Sequence, residues 1–498
     1  MESYWSEKDM SKHNIFDPLF NPEGVAIIGA SNNPGKVGGM MMLSTLIGGF
    51  NTDRLYPVNN KEEEIFGLRS YKTIKDVPYR VDLAIICIPA LGVKNVIEEC
   101  IEKGVKFGVI ISAGFSESGE EGRKREEEIV KIARHGGMRI IGPNCMGISN
   151  SKVHLHALMN MLVPKEGNVS IVSQSGTIGS LTMATGSVEG MGFSKFVSSG
   201  NEADIHTEDL IEYLTEDKDT RIILAFIEGL RDGKRFLKIA KKACEKKPFI
   251  VIKGGITEEG AKAARSHTGS IAGSSSIYAA LSKQTGIISA IDMNDLINLA
   301  KGFYMLPLPK GRNIGIVSAW GGIGVLAADS CAKEGLKIPN LSKKTIDLLN
   351  ELLPPFWSRQ NPVDMTAAGI YGSWDLFIEV NKLVLTDDNI DAVICMIPLF
   401  TSLFRSVLER NEETRYYAEG LVDFMKDTET ELVKNFVRLK EYNKPLVAID
   451  ISRSLESKSV KYLEENGIPF YSSPMDAAHI LSSMVGYKEY LDRLNDKY

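Results

Sequence analysis

The chain has 498 residues, which predicts about two to four domains rather than one core. Hydrophobic residues at 43% and charged residues at 24% are typical of a globular protein, and they exclude disordered, collagen-like and membrane classes. A formal net charge of −6 is too mild to indicate binding to nucleic acid or to an anionic membrane.

The amino-terminal stretch and the cysteines both indicate where in the cell the protein is located. The first twenty residues lack the basic segment and apolar run of a secretory signal, and no later apolar segment approaches ~20 residues. The six cysteines contain no CxxC pair, so we interpret them as reduced core or loop residues. These features predict a cytoplasmic protein.

From Val25 the chain repeats a short β-branched run, a turn marked by Gly or Pro, and a longer stretch with helical spacing. This alternation is typical of parallel βαβ units. The first strand candidates are VAIIGAS, RLYPVN, LAIICIP, FGVIIS and RIIGPN, which span Val25 to Asn144. They predict a doubly wound domain of the dinucleotide-binding type.

Two further series of strands follow. The second contains NVSIVSQSG, FSKFVSSG, RIILAFIEG and FIVIKGG, each ending in small or polar residues where a strand meets its helix. The segment from Tyr304 to Asn313 has two prolines and indicates a linker to a third α/β unit. Within that unit, the charged stretch from Thr401 to about Tyr442 predicts a helical insertion.

The first turn, GASNNPGKVG from Gly29 to Gly38, follows a strand and opens a helix, so its backbone N–H groups could receive a phosphate. A nicotinamide fingerprint requires glycine where this chain has Ser31, and an acidic residue where the second strand ends in Asn-Asn-Lys61. CoA or NADP therefore fits better than NAD. The alternative is an ordinary turn glycine with a solvated lysine.

A second candidate anion site is SQSGTIGS, from Ser173 to Ser180, which ends a strand and begins a helix. Hydroxyl and N–H groups at a positive helix terminus favour an anion. A plain serine N-cap is the alternative.

Glu228 and His267 form the candidate catalytic pair. Glu228 interrupts an apolar strand at its carboxyl end and needs a polar partner there. His267 lies in RSHTGSIAGS, a loop rich in small residues. A carboxylate can fix one ring nitrogen as N–H and leave the other as a nucleophile. His154 and His156 have no third ligand at suitable spacing, so we expect structural roles and no metal site.

The ordered set of GPNCMG at Gly142, SQSG at Ser173, IEG around Glu228 and SHTGS at Ser266 closely resembles the ADP-forming (nucleoside-diphosphate-forming) acyl-CoA synthetases, relatives of succinyl-CoA synthetase. The resemblance runs from about Asn21 to the end of the chain. It implies an α/β chain with a CoA-binding Rossmann-like domain at 1–150. Two flavodoxin-like domains follow, at 151–308 with the phosphohistidine loop and at 309–498 with the insertion near 401–442.

The same resemblance implies residue roles. His267 matches the phosphorylated histidine and Glu228 its orienting carboxylate, while Ser175, Gly176 and Thr177 match the helix start that holds the phosphate. Six residues match positions that line the CoA pocket or the adjacent acyl site: Gly29, Ser31, Lys61, Pro89, Ser112 and Asn144.

The implied mechanism is a relay in which phosphate converts an acyl-CoA to an acyl phosphate, His267 takes the phosphoryl group, and ADP receives it with Mg²⁺. The nucleotide requires an ATP-grasp β subunit, which implies an α2β2 heterotetramer. Two departures from the family, SAWGGIG in the third domain and a long 401–442 stretch, affect the expected interface and acyl specificity.

Two rival functions stay open on the sequence. An NADP-dependent oxidoreductase would use the first turn but leaves SHTGS and Glu228 without a purpose. A non-catalytic CoA-sensing module would keep the fold without turnover. The acyl group is also open among acetate, branched, aryl and hydroxy acids.

Overall fold

The computed structural model describes residues 15–260, 262, 275–365, 374–399, 401, 404–405, 412–450 and 457–496. Contacts within the chain divide it into two compact units, residues 1–296 and 297–498. Within the described ranges, no helix combines the length and the apolar character that a membrane span requires.

The amino-terminal part of the first unit is built on a five-stranded parallel sheet. The strands of this part of the chain, including a separate hairpin, are β1 (Val25–Ile28), β2 (Leu55–Val58), β3 (Glu64–Ile65), β4 (Leu68–Arg69), β5 (Leu83–Ile86), β6 (Phe107–Ile110) and β7 (Arg139–Ile141). Its helices are α1 (Asp17–Phe20), α2 (Val37–Ile47), α3 (Ala90–Lys103) and α4 (Glu120–His135). The sheet order is β2-β1-β5-β6-β7, and β3 pairs with β4 in a separate antiparallel hairpin.

A seven-stranded sheet follows in the same unit. Its strands are β8 (Gly147–Asn150), β9 (Leu155–Leu158), β10 (Glu166–Ser173), β11 (Phe193–Ser198), β12 (Ile222–Ile227), β13 (Phe249–Lys253) and β14 (Ile288–Ser289). The accompanying helices are α5 (Gly176–Val188), α6 (Thr207–Glu216), α7 (Gly233–Lys246), α8 (Ser275–Thr285) and α9 (Met293–Met305), the last of which crosses into the second unit. The order is β14-β13-β12-β10-β11-β8-β9, in which only the β11–β8 and β8–β9 pairings are antiparallel.

The second unit contains a five-stranded parallel sheet in which the central strands are fully buried. Its strands are β15 (Ile314–Ser318), β16 (Val363–Asp364), β17 (Ala392–Met396), β18 (Leu446–Ile449) and β19 (Phe470–Tyr471). Its helices are α10 (Gly321–Lys333), α11 (Lys343–Leu352), α12 (Trp374–Leu385), α13 (Glu412–Phe436), α14 (Lys458–Glu465) and α15 (Pro474–Asn495). The order is β16-β15-β17-β18-β19.

The parallel strands of all three large sheets have the same order when counted along the chain, second-first-third-fourth-fifth. This is a doubly wound order, and the predicted α/β fold class is confirmed. The continuous apolar runs follow from burial of both sheet faces under helices. In such sheets ligands bind outside the carboxyl ends of the strands, where the order reverses.

The hairpin of β8 and β9 was not among the predicted strands. It adds to the edge strand β11, with Phe196 opposite Ser149, and it extends the second sheet on one side. The hairpin begins before residue 150, and the predicted domain limits at 150 and 308 stay predictions.

Candidate active site

The candidate site lies at the carboxyl ends of three neighbouring parallel strands. Ser173 at the end of β10 pairs with Phe226 of β12, and Ile227 of β12 pairs with Lys253 of β13. The polar residues Gln174, Glu228 and Lys253 therefore stand side by side at one edge of the second sheet.

Helix α5 begins at this edge with the predicted phosphate-binding residues. Ser175 is its N-cap, and the Ser175 hydroxyl accepts the N–H of Ile178 at 3.4 Å. Gly176 and Thr177 are the first two helical residues, and the first N–H groups of a helix have no acceptor within it. A β-carbon at Gly176 would lie 1.9 Å from Cγ of Met146, so only glycine fits there. The helix start can therefore receive a phosphate close to its backbone.

Gln174 ties the carboxyl end of β12 to the start of α5. Its Oε1 accepts the backbone N–H groups of Glu228 at 2.6 Å and Gly229 at 3.0 Å, and its Nε2 donates to the Gly229 carbonyl at 2.8 Å. Sequence reasoning assigned no role to this residue. Its signal was available, because an amide that can both donate and accept stands between a strand and a helix start.

Glu228 is 8% exposed, and the buried lysine beside it is a second residue that sequence reasoning missed. Lys253 donates from Nζ to the backbone carbonyls of Glu228, at 2.7 Å, and Gly254. Burial lowers the pKa of Lys253, and the negative charge of Glu228 opposes that effect. Lys253 is thus bonded to the backbone of Glu228 beside the helix start.

His267 lies outside the described residues, as does the SHTGS motif that contains it. The structure describes the chain up to Gly260, then Lys262, and then again from Ser275. The pairing of His267 with Glu228 stays a prediction.

Three of the six predicted CoA residues meet at the carboxyl ends of the strands of the first sheet. Gly29 follows β1 with φ +86°, and a β-carbon there would lie 2.7 Å from the Cys87 carbonyl oxygen. Ser112 donates its hydroxyl to the carbonyl of Ile88 and its carbonyl accepts the N–H of Asn144 at 3.0 Å. These contacts bring together the loops that follow β5, β6 and β7.

The remaining three predicted CoA residues lie around that edge. Ser31 is buried and its Oγ accepts the N–H of Asn33 at 3.1 Å, while Pro89 is the N-cap residue of α3. Lys61 is exposed in the loop after β2, and its N–H donates to Asn59 Oδ1 at 2.7 Å. The Lys61 side chain is thus in solvent beside the sheet edge.

A polar network connects the two sheets of this unit. Asn144 Nδ2 donates to Asn201 Oδ1 at 3.3 Å, and Asn201 Nδ2 donates to Glu126 at 3.0 Å. Asp204 accepts from Nε of Arg134 at 2.6 Å and from Nε of Arg139 at 2.8 Å. Burial alone would raise the pKa of Asp204, but the two guanidinium groups hold it below its usual value.

Neither the thiols nor the paired histidines add reactive groups. Burial raises the pKa of the Cys145 thiol, in GPNC, to about 12. His154 adopts a left-handed turn before β9, and His156 is bonded through Nδ1 to Ser149 at 2.7 Å. Burial lowers the pKa of His156 to about 4. Across the described part of the chain, no group of three or more His, Cys, Asp or Glu side chains could hold a metal ion.

Three family models match the chain in succession. A CoA binding domain matches residues 23–151, a succinyl-CoA ligase like flavodoxin domain matches 166–303, and a Ligase-CoA domain matches 314–402. The order confirms the prediction of a CoA-binding domain followed by two domains of the succinyl-CoA synthetase type.

Similar proteins span almost the whole chain. The alpha subunit of an ADP-forming acetate–CoA ligase II from Pyrococcus furiosus is 42% identical, over 95% of this chain and 97% of that protein. An ADP-forming acetate–CoA ligase from Methanocaldococcus jannaschii is 39% identical over 96% of this chain, which spans 65% of that longer protein.

A solved structure supports the same relationship. The dinucleotide-forming acetyl-coenzyme A synthetase 1 of Ca. Korarchaeum cryptofilum, in complex with phosphate and ADP, is 31% identical, with a TM-score of 0.85. The match covers 98% of this chain and 99% of that one. The chain therefore belongs to the ADP-forming acyl-CoA synthetase family of the succinyl-CoA synthetase superfamily, and it corresponds to the family's alpha subunit.

Proposed function

We propose that the chain is the CoA-binding, phosphohistidine-bearing subunit of an acyl-CoA synthetase that interconverts acyl-CoA, ADP and phosphate with a carboxylic acid, CoA and ATP. One observation carries this proposal. The start of α5, Glu228 and Lys253 converge at one sheet edge of the unit that also contains the predicted CoA residues. An anion site, an orienting carboxylate and a cation are what a phosphoryl relay needs.

The relay has three steps. A phosphate oxygen attacks the thioester carbonyl, the C–S bond breaks, and CoA leaves with a proton to give an acyl phosphate. A ring nitrogen of His267 then attacks phosphorus, the P–O bond to the acyl group breaks, and the carboxylate leaves. Finally an oxygen of ADP attacks phosphorus and the imidazole leaves. ATP forms, and the reverse sequence makes acyl-CoA.

The described residues stabilise charge in these steps. The N–H groups of Gly176 and Thr177 hold the phosphoryl oxygens at the positive end of α5. Glu228 accepts the ring N–H of His267 and stabilises the positive imidazole of the phosphohistidine. Lys253 holds the backbone of Glu228 in place through its bond to the Glu228 carbonyl.

The nucleotide and Mg²⁺ belong mainly to a partner in this proposal. Two of the relatives from Pyrococcus furiosus are named alpha subunits, and the relative from Methanocaldococcus jannaschii is longer than this chain. Both facts support a second polypeptide. We propose that it carries an ATP-grasp module and that the two chains assemble as an α2β2 heterotetramer.

The two rival functions have less support. An NADP-dependent oxidoreductase gives no role to α5 and Glu228, and a CoA-sensing module has no need of the buried lysine beside a carboxylate. Purified protein that carries nicotinamide would favour the first, and CoA binding without phosphate labelling would favour the second.

The test is an acid-dependent assay on the chain purified together with its nucleotide-binding partner. We expect ADP formation that requires both CoA and a carboxylic acid. His267→Ala should abolish it, whereas His135→Ala, which changes an exposed histidine at the end of α4, should not. Activity that survives His267→Ala would rule out the relay.

A further inference from the structure

An open cavity of about 430 Å³ lies beside the start of α5. One wall is a face of that helix, and the other is formed by Met146 and a short segment after β9. The lining residues are Met146, Asn160, Met161, Leu162, Thr177, Ser180, Leu181 and Ala184. Ligand cavities in proteins are typically ~300–1,000 Å³ and mostly apolar, so this one is large enough for a small organic molecule.

The cavity walls are fixed by backbone hydrogen bonds. The N–H of Met146 donates to Ser198 Oγ at 2.9 Å, and its carbonyl accepts the N–H of Met159 at 3.0 Å. Asn160 Oδ1 accepts the N–H of Leu162 at 3.0 Å, which fixes the turn that contains Met161. The apolar side chains are thus presented on a rigid frame, although Met161 is 50% exposed.

The position of the cavity relates it to the chemistry. Thr177, at one end, belongs to the helix start that we assign to phosphate, and Met146 follows the predicted CoA residue Asn144 by two positions. From Thr177 to Ala184 the helix rises by roughly 10 Å. A molecule whose carboxyl carbon is at the phosphate site would therefore extend its chain along this helix face.

The lining also limits the chemical class of the occupant. None of the eight lining residues is charged, so a second carboxylate or an amine would lose its water without gaining an ionic partner. A two-carbon acyl group would leave most of the space unfilled. A longer acyl chain would bind more tightly, because it would bury apolar surface against Leu181 and Met161.

We propose that this cavity holds the carbon chain of the acyl group, and that the substrate is an apolar monocarboxylic acid longer than acetate. This inference rests on the proposed function and names the substrate class of the same site.

The experiment compares kcat/KM for acetate, hexanoate, phenylacetate and succinate in the complex of the chain with its nucleotide-binding partner. We expect hexanoate to exceed acetate by at least about ten-fold, because each buried methylene contributes about four-fold. Succinate should be the poorest substrate. Acetate or succinate equal to or better than hexanoate would overturn the inference.

Variants of α5 test the cavity itself. Ala184→Leu fills the cavity. It should lower the hexanoate-to-acetate ratio of kcat/KM at least about ten-fold, which is within the range for one extra or missing methylene in an apolar pocket. Leu181→Ala removes an exposed apolar contact with little effect on folding, and it should lower the same ratio several-fold. Ala332→Leu, at an exposed alanine of α10, is the matched control and should leave the ratio unchanged.

The outcomes separate this inference from the function on which it rests. Acetate equal to or better than hexanoate, with a ratio that neither α5 variant changes, would exclude the cavity as the acyl site and leave the relay intact. A complex that activates no acid and labels no histidine would contradict the proposed function and remove the inference with it.

Discussion

The side-chain Oε1 of Gln174 accepts the backbone N–H of Glu228 at 2.6 Å, across a separation of 54 residues in the chain. The same atom accepts the N–H of Gly229, so the residue before the N-cap of α5 fixes the turn that carries Glu228, the proposed orienting carboxylate. These two bonds thus join the proposed phosphate site to the turn of the proposed orienting carboxylate.

Gln174→Met tests this coupling, since methionine has a similar length and cannot form the three side-chain hydrogen bonds. We expect the rate of histidine phosphorylation to fall by about 10- to 100-fold, because a displacement of 1 Å at a reacting centre can reduce the rate about 100-fold. The KM for CoA should change little. Single-turnover labelling measures the rate, and Gln284→Met, at an exposed position of α8, is the control. Equal rates in both variants would show that Gln174 has no positioning role.

Glu228→Gln keeps the shape of the side chain and removes its charge. We expect phosphorylation to slow by about 100-fold or more, in the range for loss of a positioned acid–base group. The midpoint of thermal unfolding should stay close to that of the wild type. A normal rate in the variant would contradict the role of Glu228 as the orienting carboxylate.

The buried carboxyl group of Glu202 should make the free energy of unfolding depend on pH. Burial raises its pKa to about 7, and the nearby Glu208 adds to this effect, whereas hydrogen bonds from Thr207 and Ser199 oppose it. An exposed glutamate has a pKa of about 4.3. The folded state therefore binds an extra proton at Glu202 between these values. The contribution of Glu202 to stability is fully present below pH ~4 and is lost as the pH rises through ~7.

The check for Glu202 is the midpoint of thermal unfolding at pH 5 and pH 7. We expect the wild type to lose more stability over this interval than Glu202→Gln, by up to about 1.4 kcal/mol per pH unit. Parallel losses in the two proteins would mean that Glu202 is already ionised in the folded state.

Truncation of the Asp204 side chain should lower the free energy of unfolding by a large amount. Its side chain is fully buried and bonded to Arg139, which is 15% exposed. Asp204→Ala should destabilise the first unit by about 3–5 kcal/mol, because it leaves a partly buried guanidinium without its partner. Denaturant unfolding measures this. Asp347→Ala breaks an exposed pair with Lys343 and should cost at most about 0.5 kcal/mol.

The sequence predicted the elements that depend on local pattern. Continuous β-branched runs mark strands buried on both faces, so the central strands and the polar residues just after them, such as Ser175 and Glu228, were predictable. Lys253 gained its role only from the pairing of β12 and β13, which no local pattern encodes. The hairpin of β8 and β9 was missed because its short edge strands have no distinctive period.

In the proposed relay, His267 carries the phosphoryl group between the acyl phosphate and ADP. The most direct measurement is incubation of the purified complex with ATP and Mg²⁺, followed by peptide mass spectrometry under alkaline conditions that preserve phosphohistidine. We expect one acid-labile phosphate on His267, released on addition of a carboxylic acid and CoA. Acyl-CoA formation with the phosphate on another residue, or with no phosphorylated intermediate, would contradict it.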